Sequence, residues 1–117
     1  MTGAVFLLEE TMEVRHLKDM RGGWFVGQFE PTCLALEHCE VAVKHYRAGD
    51  TEPRHVHRIA TELTLVVTGR VMLNERTLGP GDIACLAPGD AASFSVIEDA
   101  ITVVVKSPSV SSDKYPA

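Results

Sequence analysis

The sequence predicts a single all-β domain, and three observations carry this prediction. The chain has 117 residues, which is enough for one hydrophobic core. From Glu40 onward, short apolar runs alternate with turn residues, which is the spacing typical of a β-sandwich or barrel. No segment after Glu40 keeps the 3.6-residue apolar period of an amphipathic helix. We therefore expect a strand-rich domain with little helix.

The predicted strands begin and end at turn signals. Residues 40–46 alternate between two faces, and residues 61–67 lead to Gly69, which can adopt the positive φ of a turn. The remaining strands are a hairpin that turns at Asn74 and Glu75, then 83–86, 92–96 and 100–106. Before Glu40 we expect one strand at 24–29, which Pro31 ends.

We divide the domain into a lead-in of strand and loop (1–39), a barrel core (40–106) and a tail (107–117). The apolar run within 1–10 meets two glutamates and lacks a basic segment before it, so it predicts a first strand rather than a signal peptide. The tail is polar and contains proline, and we expect it to be frayed. No apolar stretch approaches the roughly 18 residues that a membrane span needs.

Charge and cysteine usage narrow the choice of partners. A formal net charge of -5 with scattered basic residues argues against nucleic acid, which is bound by clustered Lys and Arg. Cys33, Cys39 and Cys85 form no C-x-x-C pair, which favours reduced thiols and a cytoplasmic location.

The stretch "EPRHVHRIATE" contains the candidate site. Residues i and i+2 of a strand share a face roughly 7 Å apart, so His55 and His57 can close on one cation. Glu62 follows after a turn and begins an apolar strand. Imidazole and carboxylate donors together suit iron, manganese, nickel or zinc. His55, His57 and Glu62 are therefore the candidate ligands of a divalent metal ion, and a solvated histidine pair at a strand edge is the alternative that these residues alone leave open.

The spacing around these residues resembles the first motif of the cupin superfamily, G-x5-H-x-H-x4-E-x6-G. Gly49, His55, His57, Glu62 and Gly69 fit it without an insertion. The resemblance is to small single-domain bacterial cupins. It implies a double-stranded β-helix, or jelly-roll barrel, in which the two histidines and the glutamate point into the barrel mouth as metal ligands.

The second cupin motif, G-x5-P-x-G-x2-H-x3-N, is only partly present. Gly81 and Gly89 match it, and Pro88 stands one place beyond the expected proline. Ala92 and Val96 occupy the positions of the histidine and the asparagine. The fourth ligand is therefore missing, and the residues that remain open as a replacement are His45, Asp90 and Cys85.

Three functions stay open on these residues. The first is a barrel that binds a metal ion, a small polar ligand such as a sugar or a carboxylate, or both. The second is a metal-free sugar or nucleotide-sugar epimerase, in which a histidine is the base and Tyr46 is its candidate acid. The third is a non-catalytic regulatory dimer with a degenerate pocket.

Lysines on two strands bear on this choice. Lys44 and Lys106 are expected to reach solvent, because lysine is seldom buried without a partner. If Lys44 instead faces Glu62, an ion pair between them replaces the metal ion as the neutraliser of the carboxylate.

Strand parity also predicts a partner. If Glu62 faces inward, Thr64 and Val66 do too, and the alternate residues Leu63, Leu65 and Val67 face outward. An apolar outer face needs a cover, so we expect a homodimer.

Overall fold

The computed structural model describes residues 11–117, and almost all of its regular structure is strand. Two short 3₁₀ turns, Leu17–Asp19 and Arg21–Gly23, precede the barrel. The first strand expected within 1–10 lies outside the described residues. Within residues 11–117 there are eight strands: β1 Trp24–Val26, β2 Glu40–Tyr46, β3 Thr51–Val56, β4 Thr61–Leu73, β5 Arg76–Leu78, β6 Ile83–Leu86, β7 Ala91–Ser107 and β8 Tyr115–Pro116.

The two long strands, β4 and β7, organise the domain because each contributes to both of its sheets. The second half of β7 pairs with β2 and with the start of β4, whereas its first half pairs with β3 and with the end of β4. The β4–β7 register shifts three times between Val66 and Val71, and bulges of this kind bend strands. Two antiparallel sheets result, one in the order β1-β2-β7-β4-β6 and the other in the order β8-β3-β7-β4-β5. The predicted all-β jelly roll is confirmed.

Gly69 shows why β4 is longer than expected. It adopts a φ of 82° as predicted, but the strand passes through it as a bulge rather than ending there. A Cβ at this position would lie 2.1 Å from the carbonyl oxygen of Asp99, so the strands approach closely only because a glycine is present. The segments 92–96 and 100–106 likewise form one strand, β7, rather than two.

The predicted hairpin turn is present between β4 and β5. Asn74 and Glu75 have φ values of 48° and 67°, as a two-residue type I′ turn requires. The Asn74 side chain fixes the turn to β7, because its Nδ2 donates to the Ala91 carbonyl and its Oδ1 accepts from the Ser93 N–H.

The apolar core lies on both sides of the bulges. Val66 and Val71 of β4 pack with Val96 and Ala100 of β7, and all four are buried. Val96, which stands at the motif position of an asparagine, is therefore a core residue.

Two expectations outside the barrel core were wrong. The strand at 24–29 is shorter, Trp24–Val26, because the chain bends at Gly27, where the N–H donates to the Leu34 carbonyl. The tail is not frayed: Tyr115 pairs with Val56 of β3, and Asp113 is buried. The described residues contain no helix long and apolar enough to cross a membrane.

Candidate metal centre

His55 is the last residue but one of β3, and His57 directly follows the end of that strand. The two imidazoles project into one end of the barrel. Both side chains belong to buried residues, and their ring centroids lie 5.2 Å apart in an edge-to-face arrangement. They line a cavity of about 210 Å³ together with Glu62 of the opposite sheet.

Backbone carbonyls fix the orientation of both imidazoles. Nδ1 of His55 lies 2.9 Å from the carbonyl oxygen of Pro53, and Nδ1 of His57 bonds to the carbonyl oxygen of Asp113. A carbonyl only accepts, so each Nδ1 carries a proton, and in the neutral imidazole the lone pair is then on Nε2, which is the atom left to bind a metal ion. This is the outer contact that metal-binding histidines usually make.

Glu62 supplies the third donor. Its carboxylate lies 3.8 Å from Nε2 of His57, and one donor atom from each of the three residues lies within 4.8 Å of the others. Donors that share one ion stand roughly 3 to 4 Å apart, given metal–ligand distances of about 2.0 to 2.2 Å. The two imidazoles and the carboxylate suit a divalent transition-metal ion in their chemistry, and the 3.8 Å between His57 and Glu62 is within the separation of shared ligands.

The position of the missing ligand borders the same cavity. Ala92 is the cross-strand partner of His55 and is buried in the cavity wall. None of the substitutes considered above lines this cavity: His45 and Cys85 are exposed, and the Asp90 carboxylate accepts from the Ala87 N–H at a turn.

Strand parity correctly predicted the inner face of β4. Glu62 and Thr64 line the cavity and Val66 is fully buried. Leu63 and Val67 face outward and are 38% and 44% exposed.

The lysines depart from expectation, because Lys44 and Lys106 both line the cavity instead of reaching out to solvent. Lys106 Nζ lies 2.9 Å from a carboxylate oxygen of Glu40. Lys44 forms no ion pair with Glu62 within 4.0 Å, so the charge pair that would replace a metal ion is not formed. The two Nζ atoms lie 5.0 and 4.7 Å from the centroid of the Trp24 ring.

Glu52 and Lys114 also line the cavity and were not predicted. Glu52 and His55 are three residues apart, so simple alternation along β3 would have placed them on opposite faces. They share the cavity because the β3–β7 register shifts between them. Lys114 reaches the cavity from the tail, and no local pattern in the sequence signals this.

Burial changes the acidity of two cavity groups. It lowers the pKa of Lys44, although the nearby Glu52 carboxylate opposes the shift. It raises the pKa of the Tyr46 phenol far above its ordinary value, and Glu52 adds to that shift. Tyr46 lines the cavity as a neutral phenol, and it has no hydrogen bond to either histidine in the part of the chain described.

Asp113 ties the tail to the histidine loop. Its carboxylate accepts hydrogen bonds from the N–H groups of Arg58, Ile59 and Ala60 at 2.9 to 3.2 Å. Burial acts to raise the pKa of Asp113, but these three donors outweigh it and the pKa is lowered. Tyr115 adds a second contact, since the Arg58 guanidinium lies 4.0 Å from its ring centroid.

Comparisons with known proteins agree on the fold. No protein-family profile and no curated protein matches the chain. One similar solved structure is an uncharacterized conserved protein with a double-stranded β-helix domain from Klebsiella pneumoniae. It is 28% identical with a TM-score of 0.58, and the match covers 62% of this chain and 66% of that one. An RmlC-like cupin from Shewanella frigidimarina is 20% identical at 0.60, over 66% and 71%.

A larger enzyme also contains a similar unit. Oxalate decarboxylase from Bacillus subtilis, described with Mn(II) centres, is 17% identical at a TM-score of 0.59. The match covers 68% of this chain and 24% of the decarboxylase.

Proposed function

We propose that this chain, which has the double-stranded β-helix fold of the cupins, binds one divalent metal ion and a small molecule in its barrel mouth. His55, His57 and Glu62 would be the protein ligands. The observation that carries the proposal is the pair of Nδ1 contacts to backbone carbonyls, which leaves both Nε2 atoms as the nitrogens available to a metal ion in the cavity.

Manganese, iron, nickel and zinc all suit this donor set. Three protein ligands leave coordination positions open for water or for a ligand, and a bound ion would supply Lewis-acid polarisation of an oxygen there. The chain itself orients the donors: the Pro53 and Asp113 carbonyls hold the imidazoles, and β4 holds Glu62. The Mn(II) centres of the decarboxylase support manganese as one candidate.

Titration of chelator-stripped protein with Mn²⁺ and Zn²⁺ tests this proposal, and we expect saturation at one equivalent per chain. An A92H variant should bind the ion about tenfold more tightly or better, which corresponds to about 1.4 kcal/mol or more. The reason is that Ala92 lies directly across from His55 in the cavity wall. Equal affinity of the variant and the wild type would show that residue 92 does not face the three donors.

A metal-free sugar or nucleotide-sugar enzyme is the second candidate, favoured by the presence of Tyr46 in the wall of the cavity that both histidines line. The same metal titration separates the metal-binding barrel from this metal-free enzyme. If the protein takes up no ion, a histidine would act as a general base instead of a metal ligand. A non-catalytic dimer with a degenerate pocket predicts neither metal uptake nor turnover.

We also propose that the chain forms a homodimer through the outer face of β4 and β6. Leu65 and Ile83 pair across these strands, and the apolar surface includes Leu63 at 38% and Ile83 at 58% exposure. Sedimentation should give a dimer near twice 12.8 kDa, and I83K should shift it toward monomer because burying a lysine there is costly. I97K, an exposed isoleucine outside this face, is the control. A monomeric wild type at micromolar concentration would contradict the proposal.

The cysteines support a reducing, cytoplasmic location, which also remains a proposal. Cys33, Cys39 and Cys85 are all free thiols, and unpaired thiols persist where the compartment keeps them reduced.

A further inference from the structure

Three of the four lysines line the cavity. The chain contains four lysines and carries a formal net charge of -5, yet Lys44, Lys106 and Lys114 all line the cavity beside the histidines. The fourth, Lys18, is exposed on a 3₁₀ turn outside it.

The carboxylates near the cavity do not balance these lysines once a metal ion is bound. Lys106 pairs with Glu40 at 2.9 Å, and Glu62 belongs to the proposed metal site. Among the cavity-lining residues, Glu52 is then the one carboxylate left to balance the charges of Lys44 and Lys114. With a divalent ion present, the ion and the three lysines carry five positive charges, and the three glutamates carry three negative charges. The site then has an excess of two positive charges.

Lys44 has a ring contact with Trp24 but no ion-pair partner in the described part of the chain. It makes no ion pair within 4.0 Å to any described residue, although it is half-buried in the cavity wall. Its cross-strand neighbour on β7 is Thr102, which is fully buried and whose Oγ1 has no hydrogen-bond partner in the described residues. An unbonded hydroxyl and an unpaired ammonium thus lie side by side on the inner face.

We propose that the cavity binds a small organic anion with at least one carboxylate group. Lys44 and Thr102, which lie beside Trp24, bind that carboxylate group. This inference rests on the proposed function for its second contact, an oxygen of the same ligand at the metal ion. A carboxylate fits because it accepts from both an ammonium and a hydroxyl and cancels the excess positive charge. A cavity of about 210 Å³ has the volume of roughly seven waters, which suits a short dicarboxylate and excludes a nucleotide sugar held entirely inside.

The fluorescence of Trp24 gives a direct readout, because it is the single tryptophan of the chain and lines the cavity. Metal-loaded protein is titrated with malonate, with its neutral analogue malonamide and with inorganic phosphate. We expect malonate to bind at least tenfold more tightly than the other two. Tighter binding of malonamide or phosphate than of malonate would overturn the assignment.

Variants locate the carboxylate subsite. K44M should weaken malonate binding about tenfold or more, whereas K18M, the control outside the cavity, should leave it unchanged. T102V keeps the side-chain shape and removes the unbonded hydroxyl, so it should weaken malonate binding several-fold without lowering stability. Unchanged malonate binding in both K44M and T102V would overturn the proposal, and thermal unfolding of each variant checks that it is folded.

The same titrations on chelator-stripped protein separate this proposal from the metal site. If the chain takes no metal ion, the proposed function fails, and a preference for malonate that K44M abolishes still supports the lysine subsite. If the chain takes one ion and K44M changes nothing, the metal site stands and the carboxylate subsite is wrong.

Discussion

An H55A/H57A double variant is expected to bind no stoichiometric metal ion while remaining folded. It removes two of three proposed ligands, and the single carboxylate of Glu62 is a weak site for a transition metal. The fold should survive because neither histidine belongs to the apolar core around Val66 and Val71. The loss of the hydrogen bond from His57 to the Asp113 carbonyl should cost about 1 kcal/mol.

The measurement is equilibrium titration of Mn²⁺ and Zn²⁺ into stripped protein, with thermal unfolding at each metal concentration. An ion at 100 times its Kd stabilises the wild type by about 2.7 kcal/mol, and this gain should vanish in the double variant. H45A is the matched control, because His45 is exposed on the outer face of β2. Stoichiometric metal retained in H55A/H57A would reject these histidines as ligands.

The D113A variant is expected to have the largest effect on stability among single substitutions at the site. The Asp113 carboxylate holds the N–H groups of three consecutive residues, including the buried Ala60. Its removal leaves these donors without their charged acceptor and should lower the free energy of unfolding by about 2 to 4 kcal/mol. Metal affinity should fall about 10-fold to 100-fold, because the tail that presents the carbonyl to His57 is released.

Denaturant unfolding at one protein concentration, together with the metal titration, measures both effects. D82A is the control: that carboxylate accepts from the Gly79 N–H at an exposed turn and should cost about 1 kcal/mol or less without changing metal affinity. A D113A variant with the stability and metal affinity of D82A would show that the tail does not support the site.

Acid dependence provides an independent check on Asp113. Because its pKa is lowered in the folded chain, its contribution is fully present above the unfolded-state pKa of about 3.9 and is lost as pH falls through the folded-state value. The wild type should therefore lose stability below about pH 4 more steeply than D113A does.

Sequence patterns predicted the fold and the proximity of the three candidate ligands for local reasons. His55 and His57 are two residues apart at the end of one strand, and the alternation that begins at Glu62 fixes the inner face of β4. The sequence predicted a positive φ at Gly69 but not that β4 continues through it as a bulge. That continuation depends on the close approach of Asp99, which is distant in sequence and gives no local signal.

The rest of the site depends on long-range packing. Glu52 joins the cavity only because the β3–β7 register shifts before His55. Because the tail folds back on β3, Lys114 lines the cavity and Asp113 bonds to the loop after His57. The inward lysines contradict the usual preference of lysine for solvent. Their position in the cavity wall is the observation on which the proposed carboxylate subsite rests.

The measurement that tests the central claim most directly is elemental analysis of untagged protein purified without a chelator. The account predicts about one equivalent of manganese, iron, nickel or zinc per chain, removable by a chelator and restored on reconstitution. Protein that is free of metal as purified, and that takes up no ion on reconstitution, would contradict it.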